Sequence, residues 1–259
     1  MARINFTDGL KKEYIQLYRT MEISQDKLNI VNNHVDHILQ SKDRYQEIED
    51  SIGVPWFITA LLHTMESSRN FKTHLHNGDP LSKRTTHVPA GRPINGNPPF
   101  SWEESATDAL KQKKLDKIDD WGVARILYQI ESYNGWGYRR FHPEVKSPYL
   151  WSYSNHYTRG KYVADGKFSK TAVSKQSGAI TILKRMEERK EVSALSFEDI
   201  DVPFFHFTNG IANRAKDLQR FLNTFDGISL TEDGRPGNGT SEACFKLFGN
   251  YLDGDTRGK

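Results

Sequence analysis

Between Trp56 and Met65 the chain carries Trp56, Phe57, Ile58, Ala60, Leu61, Leu62 and Met65, with Thr59, His63 and Thr64 as its polar side chains. Gly53 and Pro55 punctuate the sequence just before this run, as they do where a new helix begins. A helix that is apolar around its circumference has no face to turn to water, so other elements must surround it. The segment therefore predicts a central buried helix inside a mainly α fold, and its one acidic end residue, Glu66, stands where the apolar helix meets a polar loop.

The surrounding elements follow from periodicity. Residues 8–52 read as helical, because apolar positions such as Leu10, Tyr14, Leu17 and Tyr18 recur at three- and four-residue spacing with no proline among them. Similar patterns predict helices over 102–113, 120–133 and 170–190. Residues 70–100 are rich in glycine, proline, histidine and asparagine, which predicts loops or a short β-hairpin lining a cleft. An aromatic, glycine-rich stretch covers 134–162. The irregular segment around Pro203 reads as a linker. The expected organisation is a catalytic-type domain over 1–195, with 1–52 as a helical extension, a linker over 196–210, and a small helical domain over 211–259.

Composition narrows the function classes. Lysine and arginine number 36 against 33 acidic residues, a formal charge of +3. That balance tolerates an anionic polymer without demanding one, and gives no nucleic-acid signature. No apolar stretch approaches the roughly 20 residues needed to cross a bilayer, so no membrane insertion is expected. The opening residues lack a basic-then-apolar signal layout, so the expectation is a monomer made in the cytoplasm that reaches its substrate by release or delivery. The single cysteine, Cys244, excludes an internal disulfide and a cysteine-rich zinc site, and reads as a small buried hydrophobe in a helix.

Partial burial of Glu66 would raise its pKa and keep it protonated near neutral pH, as a general acid requires. The competing reading is a glutamate that ends a helix by pairing with Arg69 or facing water. His63, His74, His76 and His87 invite a metal reading, but no His-Glu-x-x-His pattern is present and hydrogen bonding within the loop is the stronger expectation. No metal or organic cofactor is required.

The run from Trp56 through Glu66-Ser67-Ser68-Arg69-Asn70-Phe71 resembles the catalytic-helix motif of lysozyme-like glycosidases, notably soluble lytic transglycosylases and goose-type lysozymes. The resemblance implies a lysozyme-like helical domain that cleaves the β-1,4 bond between N-acetylmuramic acid and N-acetylglucosamine in peptidoglycan, with Glu66 as general acid. Asp79, in His76-Asn77-Gly78-Asp79-Pro80, is a candidate second carboxylate to direct a water. Thr85 follows it at a spacing similar to the aspartate and threonine of phage-type lysozymes. A turn aspartate before proline is the alternative for Asp79. Lytic transglycosylases instead let the sugar's own groups finish the reaction and leave an anhydro product.

Candidate substrate-binding residues are His76, Arg84 and Arg92 on the loop, the arginines as partners for a lactyl or peptide carboxylate, or else as solvated surface charge. Tyr133, Asn134, Trp136 and Tyr138 are further candidates, since Tyr133-Asn134-Gly135 resembles the segment that lines the lytic transglycosylase cleft. Core packing is the alternative for these aromatics, disfavoured for Trp136 between two glycines, and Glu131 is a reserve acid. Near the C-terminus, the helix containing Leu218-Gln219 and the pattern Asp233-Gly234, Gly237 and Thr240 resemble the short helical peptidoglycan-binding domain. Rival readings are a chitin- or chitosan-type glycosidase and a non-catalytic wall-binding protein.

Overall fold

The computed structural model describes residues 4–198, 205–212 and 214–258, and the chain divides into two compact units, Met1–Ile200 and Asp201–Lys259. The segment expected to be a linker, 196–210, lies partly outside the described residues. Eleven α-helices and one two-stranded sheet occur among the described residues, so the fold is mainly helical. Residues 8–52 form three helices, α1 (Asp8–Arg19), α2 (Leu28–Leu39) and α3 (Lys42–Ile52). The Thr20 hydroxyl donates to the Gln16 carbonyl at 2.8 Å where α1 ends, and Gly53, at φ 72°, takes the left-handed turn that ends α3.

The apolar run forms α4 (Trp56–Ser67), and every residue from Ile58 to Met65 is buried. Further along the chain come α5 (Trp102–Gln112), α6 (Val123–Asn134), α7 (Gly137–Phe141), α8 (Pro148–Trp151) and α9 (Ala179–Glu188). Helices α3 and α9 pack on α4, α9 also meets α2 and α8, and α1 pairs with α6. His63 sits on α4 inside an aromatic shell, with ring centroids of Tyr45, Phe71 and Trp102 at 5.9, 4.6 and 4.4 Å. Burial lowers its pKa to about 4, so the ring is neutral at neutral pH.

Of the loops or short hairpin expected over 70–100, loops are found: the segment is irregular chain with one isolated bridge, Thr73 to Pro80. The hairpin lies later, where β1 (Lys161–Ala164) pairs antiparallel with β2 (Lys167–Ser169) across Asp165-Gly166, a dipeptide suited to tight hairpin turns. The helix expected over 170–190 starts only at Ala179. A Cβ at Gly178 would stand 2.2 Å from the Leu150 carbonyl oxygen, so glycine permits the close approach of α8 at the point where α9 begins.

The second unit is built on α10 (Ala215–Leu222) and α11 (Asn238–Phe248), with Leu218, Leu222, Ala243, Cys244 and Leu252 as its core. Gln219 is buried among them. Its amide nitrogen donates to Asp233 Oδ1 at 2.8 Å and Thr240 Oγ1 at 3.3 Å, and its carbonyl oxygen accepts the Gly234 N–H at 2.9 Å. One side chain thus ties α10 to the glycine-rich turn and to α11. Gln219→Ala leaves those buried groups unsatisfied, and we expect it to cost this unit about 3 kcal/mol. The readout is faster amide hydrogen exchange across α10 and α11 with the first unit unchanged; unaltered exchange in α11 would remove Gln219 from that role.

Candidate active site

Glu66 occupies the last turn of α4, and the chain leaves that turn through Ser68 and Arg69, both in the left-handed region at φ 51° and 63°. Two consecutive non-glycine residues there are unfavourable and need surrounding structure to hold them. The Glu66 side chain reaches the surface, yet protein crowds the inner side of its carboxyl. Burial pushes its pKa above the usual 4.5, against smaller opposing effects of the Tyr149 hydrogen bond and the Lys113 charge. The Tyr149 hydroxyl donates to Glu66 Oε1 at 2.7 Å. Burial, and then the nearby Glu66 charge, push the hydroxyls of Tyr149 and Tyr133 upward, so both remain protonated donors. The Lys113 ammonium lies 4.8 Å from the Tyr133 ring centroid, and the Tyr133 hydroxyl reaches the Leu75 carbonyl at 3.4 Å.

An open trough of about 350 Å³ is lined by Asn134, Gly135, Gly137, Tyr138, Tyr149, Tyr162 and Gln176 among others; Glu66 is not among its lining residues and meets it through the Tyr149 hydroxyl. Tyr149 and Gln176 fasten its wall to α4, since the Gln176 amide donates to the Met65 carbonyl at 3.1 Å. No residue of 70–100 lines this trough, whereas the sequence predicted that loop as one wall of the cleft.

The loop residues have internal partners. Asp79 is buried, and its Oδ2 accepts the Thr86 N–H at 2.7 Å and the His87 N–H at 3.0 Å, while Oδ1 lies 2.6 Å from His87 Nδ1. The backbone and ring of His87, with the Thr86 N–H, hold the Asp79 carboxyl well below the usual carboxylate range. The Thr85 hydroxyl donates to the Pro89 carbonyl and accepts the Arg92 N–H at 2.9 Å. His76 Nε2 stands 2.8 Å from Asp108 Oδ2 and Arg92 Nε 3.4 Å from the same oxygen. Arg84 donates to the Gly96 carbonyl at 2.7 Å. None of Asp79, Thr85, His76, Arg84 and Arg92 is hydrogen-bonded to Glu66 among the described residues. Their placement is that of groups holding an irregular loop together, because a loop without regular structure must satisfy its polar groups locally.

Of the aromatic candidates, Tyr133 lies beside Glu66, and Asn134, exposed at the end of α6, lines the trough. Trp136 is buried against Tyr128 at 5.1 Å between centroids, which corrects the expectation that it stands free of the core. Tyr138 is buried too, accepting the Tyr162 N–H at 3.2 Å, though its edge reaches the trough. Glu131 is buried, with Oε2 accepting from the Tyr14 hydroxyl and from Arg139 Nε at 2.8 Å, and it does not line the trough. Tyr149, Gln176 and Lys113 escape sequence reasoning. Tyr149 sits in the aromatic stretch the sequence singled out, but nothing in the sequence marks Gln176.

No family model, curated protein or solved structure matches this chain.

Proposed function

We propose that the first unit is a lysozyme-like domain that cleaves peptidoglycan strands, with Glu66 protonating the bridge oxygen between N-acetylmuramic acid and N-acetylglucosamine. The observation that carries this reading is one carboxyl at the end of a buried helix, raised in pKa by burial and held by one neutral phenol, Tyr149, which itself lines an open trough. A polymer needs an open trough rather than a closed pocket. Tyr149 occupies Oε1, so Oε2 is the oxygen that carries the acid proton.

The occupied oxygens of Asp79 support a reaction finished by the substrate itself. Glu66 gives its proton to the bridge oxygen, the sugar C1–O bond breaks, and the bonding pair leaves with the N-acetylglucosamine unit. A hydroxyl of the muramic acid then closes on C1 and returns its proton to Glu66, which leaves an anhydro end. The second unit, on its resemblance, is proposed to hold the same polymer.

Purified peptidoglycan digested with the wild type should release anhydro muropeptides, and Glu66→Gln should lower the rate about a thousandfold. Reducing ends would replace the internal capture by water. Release from chitin alone would transfer the acid to another polymer, and no release from several wall types would leave a wall-binding protein. Because an acid with a raised folded pKa costs stability once ionised, Glu66→Gln should also melt higher than the wild type at neutral pH. Below the ordinary carboxylate value of 4.5 the two should converge, since both states are then protonated.

Asp79→Asn should lower thermal stability while keeping cleavage within about tenfold of the wild type, in keeping with a loop-holding role; a loss as large as that of Glu66→Gln would return Asp79 to the chemistry.

Tyr149→Phe removes a hydrogen bond that favours the ionised carboxyl. Activity that needs protonated Glu66 falls as pH rises through its pKa, so this alkaline limb should move to higher pH in the variant. A limb that stays in place, or moves to lower pH, would rule out Tyr149 as the group that tunes Glu66.

A further inference from the structure

A second cavity, of about 160 Å³, lies apart from Glu66 and is lined by Glu13, Glu131, Arg139, Lys146, Ser147 and Trp151, with Tyr138 between it and the trough. Its charges balance. Glu13 accepts from Arg139 Nη1 at 3.0 Å and from Lys146 Nζ at 2.8 Å, and Glu131 Oε2 accepts from Arg139 Nε at 2.8 Å. Two carboxylates thus face one guanidinium and one ammonium.

The cluster is not self-sufficient. The hydrogen bonds to Glu131 from described residues fall on Oε2, and Oε1 is left to the cavity. Ser147 is 4 % exposed and its hydroxyl has no partner. It precedes α8 without capping it. Lys146 donates to Glu13 and retains further N–H groups. Native interiors rarely leave a buried hydroxyl such as that of Ser147 unpaired, and the cavity sets beside it a Glu131 oxygen open to a donor and, at its more open rim, where Lys146 is 39 % exposed, spare ammonium hydrogens.

We propose that this cavity binds a small α-amino-carboxylate zwitterion, its ammonium on Glu131 Oε1 and Ser147 Oγ and its carboxylate on Lys146. A lone anion would leave the Glu131 oxygen unmatched and add net charge to a charge-balanced site, and a lone cation would meet Lys146 and Arg139. A zwitterion satisfies both ends and brings no net charge into the low-dielectric interior. The volume holds roughly five water-sized groups, comparable to the heavy atoms of glycine or alanine. Trp151 and Val145 supply an apolar wall for a short side chain. The same chemistry is offered by a free amino acid and by the amino-carboxylate end of a diamino acid in a wall peptide; the second source rests on the proposed function.

Calorimetric titration of the full chain with glycine, D-alanine, L-alanine and diaminopimelate tests the site, with acetate and methylamine as single-charge probes. Saturable binding of a zwitterion at least about tenfold tighter than either single-charge probe is expected. Ser147→Ala should weaken it by about tenfold, the effect of one buried hydrogen bond. That variant removes an unpaired hydroxyl and should melt no lower than the wild type, so its loss of binding cannot be a loss of fold. Glu66→Gln should bind as the wild type does, which separates this site from the cleavage reading. Competition by a muropeptide with a free diaminopimelate end would identify the wall as the source, and binding of the free amino acid alone would identify a metabolite. No saturable binding of any zwitterion, acetate bound as tightly, or undiminished binding by Ser147→Ala would overturn the proposal.

Discussion

Burial of α4 on all sides is the constraint from which the first unit follows. Its apolar side chains each gain on the order of 2 kcal/mol when removed from water, and they gain it only if neighbours cover the whole circumference. Helices α3 and α9 pack on it directly. Even the polar members of the run are drawn in: His63 is held neutral among Tyr45, Phe71 and Trp102, and the Thr64 hydroxyl donates back to the Ala60 carbonyl at 2.8 Å. Such a helix can emerge only at its ends. At the emerging end the chain must turn at once, through two left-handed residues, and Glu66 is fixed at the boundary between core and solvent.

That boundary separates two glutamates that burial alone would make look alike. Glu66 and Glu131 both have pKa values raised by burial. Glu131, however, is paired with Arg139 and bonded by Tyr14, so its ionised form is compensated where it lies. Glu66 has a neutral phenol as hydrogen-bond partner and the Lys113 charge only as a weaker influence. A proton leaves a group easily when something nearby compensates the charge left behind, and an acid catalyst must hold its proton until a substrate oxygen arrives. The arrangement around Glu66 suits that task, and the ion pair around Glu131 suits a structural or ligand-binding one.

The parts of this picture legible in the sequence share a physical character. The α4 run, and the helices realised as α5 and α6, could be read because burial imposes a pattern on neighbouring residues, and a pattern survives in one dimension. Glu66 was legible for the same reason, as the interruption of a pattern. The loop over 70–100 was not. Asp79, Thr85, His76, Arg84 and Arg92 have the chemistry of a binding site, but the same chemistry satisfies irregular backbone, and only distances distinguish the two. Tyr149 and Gln176 come to α4 from 83 residues and 111 residues away in the chain, a juxtaposition created by packing α8 and α9, which no local signal announces.

The second unit shows how a motif can be legible while its meaning is not. Leu218-Gln219, Asp233-Gly234, Gly237 and Thr240 are the residues that resemble a wall-binding domain; of these, Asp233, Gly234 and Thr240 converge on the buried Gln219 amide, and Leu218 lies in the core. The Gln219 hydrogen bond holds Asp233 below the usual carboxylate range, with the Arg235 N–H adding to it. A side chain with both its amide atoms engaged inside the fold has nothing left to offer a ligand. The pattern therefore specifies how the unit closes on itself, and the surface it offers a polymer is formed by Asp233, the exposed side chain of the pattern, and by residues outside it. Phe221 and Phe248, both half exposed, lie with ring planes parallel within 6° on that surface. A resemblance carried by hub residues speaks first to architecture, and the chemistry of recognition has to be sought in the side chains that the hub leaves outside.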